Sequence, residues 1–89
     1  MKMHRYRSTH KSGVLAYVIR KTSILILFPP DREGVKYVYE YGYKSPGKEH
    51  VEQMKSLAPN GAELATYINQ YVREKYQKKT PVDEVILVD

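Results

Sequence analysis

An α+β domain is what this sequence predicts: a three-stranded antiparallel meander followed by two helices, with a short C-terminal edge strand. Three observations predict it. Tyr37, Tyr39, Tyr41 and Tyr43 recur on alternate residues, the period of a strand. Two apolar runs rich in β-formers precede them, at residues 14–19 and 24–28. After them, Val51, Met54 and Ala58, then Leu64, Ile68, Tyr71 and Val72, fall at helical spacing.

At 89 residues the chain has material for one core and not two. Residues 1–11 hold Lys2, Arg5, Arg7 and Lys11 without an acid, and read as a basic, loosely docked N-terminal arm. Residues 12–79 form the domain proper, and residues 80–89 a C-terminal extension carrying a short strand.

The first two runs are joined by Arg20-Lys21-Thr22-Ser23, which suits a hairpin. If Lys21-Thr22 is a two-residue turn, Tyr17 lies opposite Ile26 and Ile19 opposite Ile24. Pro29-Pro30 ends the second strand, since proline cannot donate to a ladder. Asp31-Arg32-Glu33-Gly34 is a polar turn, and the tyrosine strand follows, with Phe28 expected near Val35. One face of this meander, face A, then holds Leu15, Tyr17, Ile19, Ile24, Ile26, Phe28, Val35, Tyr37, Tyr39 and Tyr41. The other, face B, holds Ala16, Val18, Leu25, Leu27, Lys36, Val38 and Glu40. Face A is bulky and uncharged, so the helices are expected over it. A slip by one residue would exchange a strand's faces.

Ser45-Pro46 suits the start of the first helix, serine as cap and proline at the first helical position. Pro59-Asn60-Gly61 breaks it, and Asn60 with Glu63 resembles a capping box for a second helix reaching about Gln77. Thr80-Pro81 is a stop, and residues 85–88 are a short strand that can add to its own sheet or to a neighbour's.

The function classes narrow by composition. There is no cysteine, which removes disulfides, thiolate metal sites and a thiol nucleophile. His4, His10 and His50 are scattered, no metal-binding pair of the H-E-x-x-H type exists, and no glycine-rich phosphate loop is present. The acids form no catalytic pair. The chain therefore reads as non-enzymatic, with no catalytic residue, metal or cofactor. No apolar run reaches the length that spans a bilayer, and the basic N-terminus lacks the apolar stretch of a signal peptide, so a cytoplasmic protein without a membrane partner is expected.

The formal net charge of +5 favours acidic partners. Aromatic rings on a sheet can stack bases while nearby cations hold phosphates, so RNA or single-stranded nucleic acid is one candidate partner. Tyr37 and Tyr39 are expected under the helices. Tyr41 and Tyr43, at the strand's end, are the candidate base contacts, with Lys36, Lys44, Arg5, Arg7 and Lys11 for phosphate. The alternative is a protein-interaction or homodimerisation module, using face B through Val18, Leu25, Leu27 and Val38, or the C-terminal strand through Val85 and Leu87. Cover of face B by the arm or by residues 85–88 stands equally open.

Several pieces occur in the order found in one known family. Ser12 with Tyr17, the run 25–28 ending in Phe28, Gly34 before Tyr37-Val38-Tyr39, and Asn60-Gly61 before Tyr67-Ile68 resemble the KTSC domain, a small module named for the C-terminus of some lysyl-tRNA synthetases. The resemblance covers about residues 12–76. It implies that Tyr37 and Tyr39 are signature positions, and RNA binding has been suggested for the family. Ser45-Pro46 stands where the family has Val-Pro, and the loop at residues 29–33 is longer.

Overall fold

In the computed structural model, which describes residues 1–7, 13–61 and 63–88, the expected hairpin forms although no glycine or asparagine marks its turn. The amide of Arg20 donates to the carbonyl of Ser23, closing the two-residue Lys21-Thr22 turn. Tyr17 faces Ile26 and Ile19 faces Ile24, the expected register. In chain order the strands are β1 (Lys2–Arg5), β2 (Ala16–Ile19), β3 (Ser23–Leu27) and β4 (Lys36–Gly42). Helix α1 (Lys48–Leu57) comes next, then α2 (Leu64–Tyr67), which continues as a π-helical turn over Ile68–Val72. Strands β5 (Lys78–Val82) and β6 (Ile86–Val88) complete the chain.

The loop between β3 and β4 is built by Asp31. Its carboxylate accepts from the amides of Glu33 and Val35 at 2.9 and 3.0 Å, the local competition with the ladder that makes aspartate a turn former. Gly34 takes a φ of 81°, which a β-carbon would oppose. The β3–β4 register pairs Leu27 with Val38, two residues away from the expected one. A shift by two keeps every side chain on its face, so the face assignment survives.

The three-stranded architecture does not survive. The sheet has six strands, mixed in direction, in the order β5-β4-β3-β2-β1-β6, although the class remains α+β. Two segments read otherwise from sequence are strands. Residues 2–5 of the basic arm pair antiparallel with β2 and parallel with β6. Lys78 to Val82, taken for the end of a helix and a stop, pair antiparallel with β4. Pro81 is tolerated because β5 is an edge strand.

The helix starts also differ. Gly47, at φ 116°, precedes α1 without a side-chain cap, and Ser45 Oγ donates instead to the carbonyl of Lys75 at 2.6 Å. Asn60 donates back to the carbonyl of Ser56 at the end of α1. The first amide of α2, on Leu64, donates to the hydroxyl of buried Tyr6. A residue of the arm thus does the capping that Asn60 and Glu63 were expected to do.

The order of the strands forces a curl. β5 and β6 lie at opposite edges, about 24 Å apart in a flat six-stranded sheet at ~4.8 Å per strand. Yet the four steps from Val82 to Ile86 can span at most about 14 Å. The sheet must therefore bend toward a barrel, as accumulated strand twist allows. Two cores result. Over face A, α1, α2 and the π turn bury Ile24, Ile26, Tyr41, Val51, Met54, Leu64, Ile68 and Val72. Inside the curl, face B packs Met3, Ala16, Leu25, Leu27 and Val38, with Val18, Val82 and Val85 at its margin. No helix among the described residues is long and apolar enough to cross a membrane.

Candidate functional site

Face A is not sealed along its whole length. Where the π turn lifts away from β4, a cleft of about 310 Å³ opens, lined by Phe28, Tyr39, Ile68, Asn69, Arg73, Glu74, Tyr76 and Lys79 among others. Its walls are aromatic. Phe28 meets Tyr39 edge to face at 4.9 Å between ring centroids, and Tyr39 meets Tyr76 the same way at 4.9 Å. Such T-shaped pairs set the positive edge of one ring against the negative face of the next, leaving other ring faces for a guest. The volume lies at the small end of the ~300–1,000 Å³ usual for ligand clefts, room for one planar group rather than several.

Two cations border this cleft. Lys79 stands opposite Tyr39 in the β4–β5 ladder, so its side chain crosses the neighbouring rings. Its ammonium sits 4.4 Å from the centroid of Tyr37 and 5.2 Å from that of Tyr39. A hydrogen bond with the Tyr39 hydroxyl holds its pKa above the ordinary lysine value. Arg73, just after the π turn, donates to Asn69 Oδ1 at 2.7 Å, which aims its guanidinium. Glu74 is the single acid among the lining residues. π-helical turns often occur at functional sites, because the widened turn displaces side chains from the regular helical face.

Of the tyrosines expected to contact a ligand, Tyr41 lines the cleft and Tyr43 does not. Tyr41 forms part of the cleft's inner wall and is 0 % exposed, a core residue as well. Its hydroxyl donates to the carbonyl of Arg73 at 2.9 Å, and burial above all pushes its pKa well above the phenol range. The helices extend further over the strand's end than strand position alone suggested. Tyr43 is half-buried beside α1, donating to Glu52 at 2.8 Å, with Lys48 and Lys55 at 5.9 and 5.7 Å from its ring. Tyr39, expected in the core, also lines the cleft.

The expected phosphate-holding cations are dispersed. Lys36 faces Val82 on the other side of the sheet, and Lys44 sits in the turn after β4. Arg5 and Arg7 belong to or follow β1, two strands away from β3. None lines the cleft. Lys11 lies outside the described residues.

The expected interaction surface on face B is corrected in the same way. Leu25, Leu27 and Val38 are buried and Val18 is half-buried, because the curl folds Met3 and Val85 over them. Val85 is itself half-buried, while Leu87 in β6 is exposed.

Sequence reading missed Phe28, Arg73, Tyr76 and Lys79 as one group. They come from three separate elements, and only the β4–β5 pairing brings Lys79 beside Tyr39. Lys78 and Thr80 pair with Glu40 and Val38 on the face away from the cleft, so no alternation in this segment signalled the group.

A second polar cluster pins α1 to α2. His50 Nδ1 lies 2.7 Å from the Tyr67 hydroxyl, and Tyr71 stacks on His50 at 6.3 Å. Burial, then Tyr71 and Glu49, raise the Tyr67 pKa. Among the described residues no group of three His, Asp or Glu side chains is placed to hold a metal ion. Comparison with protein-family models, with curated proteins and with solved structures gives no match.

Proposed function

We propose that this chain is a small non-enzymatic module that binds single-stranded nucleic acid, RNA foremost, in a cytoplasmic setting. One base enters the cleft beside Tyr39 and Tyr76, against their free ring surfaces, and Arg73 and Lys79 hold the adjoining phosphate. The observation that carries this reading is the meeting of aromatic walls and two border cations in a cleft sized for one planar group. Stacking tolerates any base, since every base has a π-face, and the cations supply affinity without sequence preference. The net charge of +5 assists encounter with a polyanion. The resemblance to the KTSC domain points the same way, with Tyr39 as one of its two signature tyrosines.

Fluorescence anisotropy with labelled random RNA and DNA strands of about 10 nucleotides tests the proposal. Binding at low salt should weaken steeply as salt is added. Tyr76→Ala should weaken it by roughly 5- to 150-fold, the equivalent of ~1–3 kcal/mol of stacking. Lys79→Ala should reduce the salt slope by about 1. Lys44→Ala, away from the cleft, should cost less than either. Absence of binding at low salt, or binding indifferent to both cleft variants, overturns the reading.

A further inference from the structure

The cleft between the π turn and β4 carries two groups that stacking and phosphate attraction do not use. The first is Glu74. It lines the cleft together with Arg73 and Lys79, where a carboxylate opposes a polyanion. Among the described residues no hydrogen bond or ion pair engages its side chain. The second is Asn69. Arg73 Nη1 donates to its Oδ1 at 2.7 Å, and a guanidinium can only donate, so the amide oxygen is the atom turned toward it. The two N–H groups of Asn69 Nδ2 are then left for a guest. One wall of the cleft thus offers an acceptor that cannot donate and a donor that cannot accept.

We infer that the cleft selects guanine among the bases. The selection rests on the nucleic-acid reading proposed above and narrows it: stacking and charge hold any strand, and the base edge decides which nucleotide occupies the cleft. Unpaired bases of a single strand expose their Watson–Crick edges. On that edge guanine has two adjacent donors, N1–H and the N2 amino group, next to the O6 acceptor. Adenine and cytosine each offer one donor beside an acceptor nitrogen, and uracil one donor flanked by two acceptor oxygens. Set against Glu74, each of those three brings an acceptor lone pair toward a group that only accepts. Guanine alone meets both carboxylate oxygens with N–H groups, in a charge-assisted bidentate pair. Its O6 is then left to accept from Asn69 Nδ2.

The elements divide the task. Asn69 lies within the π turn and Glu74 just past its end, so both reading groups come from the segment that roofs the cleft. Lys79 comes from β5, on the sheet side, where its ammonium lies near the rings of Tyr37 and Tyr39. A base against Tyr39 and Tyr76 therefore meets the reading groups from the roof and keeps the sheet-side cation for its phosphate. The acid that weakens attraction for a strand in general becomes a means of choosing one nucleotide within it.

Fluorescence anisotropy of the full chain tests this with four labelled oligouridines of about 10 nucleotides, each carrying one central guanosine, adenosine, cytidine or inosine. The guanosine strand should bind roughly 5- to 150-fold more tightly than the adenosine and cytidine strands, the discrimination of one bidentate pair. Inosine keeps N1–H and O6 but lacks the N2 amino group. It should fall below guanosine although its ring system stacks alike. Glu74→Gln should bring the guanosine strand down to the level of the adenosine strand. Glu74 is exposed and lies outside the strands and helices, so the variant should keep the wild-type far-ultraviolet circular dichroism spectrum. Equal binding of all four strands, inosine matching guanosine, or a guanosine preference that survives Glu74→Gln overturns the inference and leaves the nucleic-acid reading standing. Binding of none of the strands at low salt removes both.

Discussion

The two faces of this sheet are both buried, but by different means. Face A is covered by separate elements, α1, α2 and the π turn, and hydroxyl groups tie the cover down. Tyr6 accepts from the Leu64 amide, Tyr41 donates to the Arg73 carbonyl, and Ser45 donates to the Lys75 carbonyl. Face B is covered by the sheet's own curl, and its core cluster is made of aliphatic side chains and Met3. A cover laid on by separate helices can leave a gap, and the cleft beside Tyr39 and Tyr76 is that gap. The sheet's own curl lays no separate element over face B. The difference explains why the cleft lies on face A although face B looked like the freer surface in the sequence.

The largest test compares neighbours on one strand. Ile26 and Leu27 are both buried and point to opposite faces of β3. Each changed to alanine should cost about 2–5 kcal/mol by urea denaturation, the usual range for a packed core. A cost below ~1 kcal/mol for Leu27→Ala alone would mean that face B is not a closed core.

A smaller effect separates the two kinds of cover. Tyr41→Phe removes one hydroxyl and leaves the Arg73 carbonyl without its partner, for an expected loss of about 1–3 kcal/mol. Tyr6→Phe should act similarly through the Leu64 amide. If both substitutions are silent, polar ties do not distinguish face A from face B.

The smallest effect lies at the exposed rim of α1. The carboxylate of Glu52 is held below its ordinary pKa of 4.5, first by Lys55 and then by the Tyr43 hydroxyl. Its folded pKa is depressed, so its contribution is present above the unfolded value and fades as the pH falls through the folded one. Thermal melts should show a slight acid-side loss of stability in the wild type that Glu52→Gln lacks. The group is exposed and salt screens it, so added salt should shrink the difference.

Alternation along the chain was enough to separate the faces. Tyr17, Ile24, Ile26 and Tyr39 stand together because a strand's period is two, and an error of two residues in the β3–β4 register left that grouping intact. The hairpin turn and the helical stripe of α1 were equally local, written in neighbouring residues. β6 was expected as a short edge strand, whereas β1 and β5 were not legible as parts of the sheet. Lys78-Lys79-Thr80-Pro81 has no apolar alternation, and edge strands need none, since pairing with a distant partner makes them strands. The cleft depends on the same long-range pairing, which alone sets Lys79 beside Tyr39, and on the helix cover, which took Tyr41 inside and left Tyr76 at the opening. Periodicity is a property of adjacent residues and could be read directly; the choice of which strand lies beside which is a competition among distant segments, decided only when the curl buried them together.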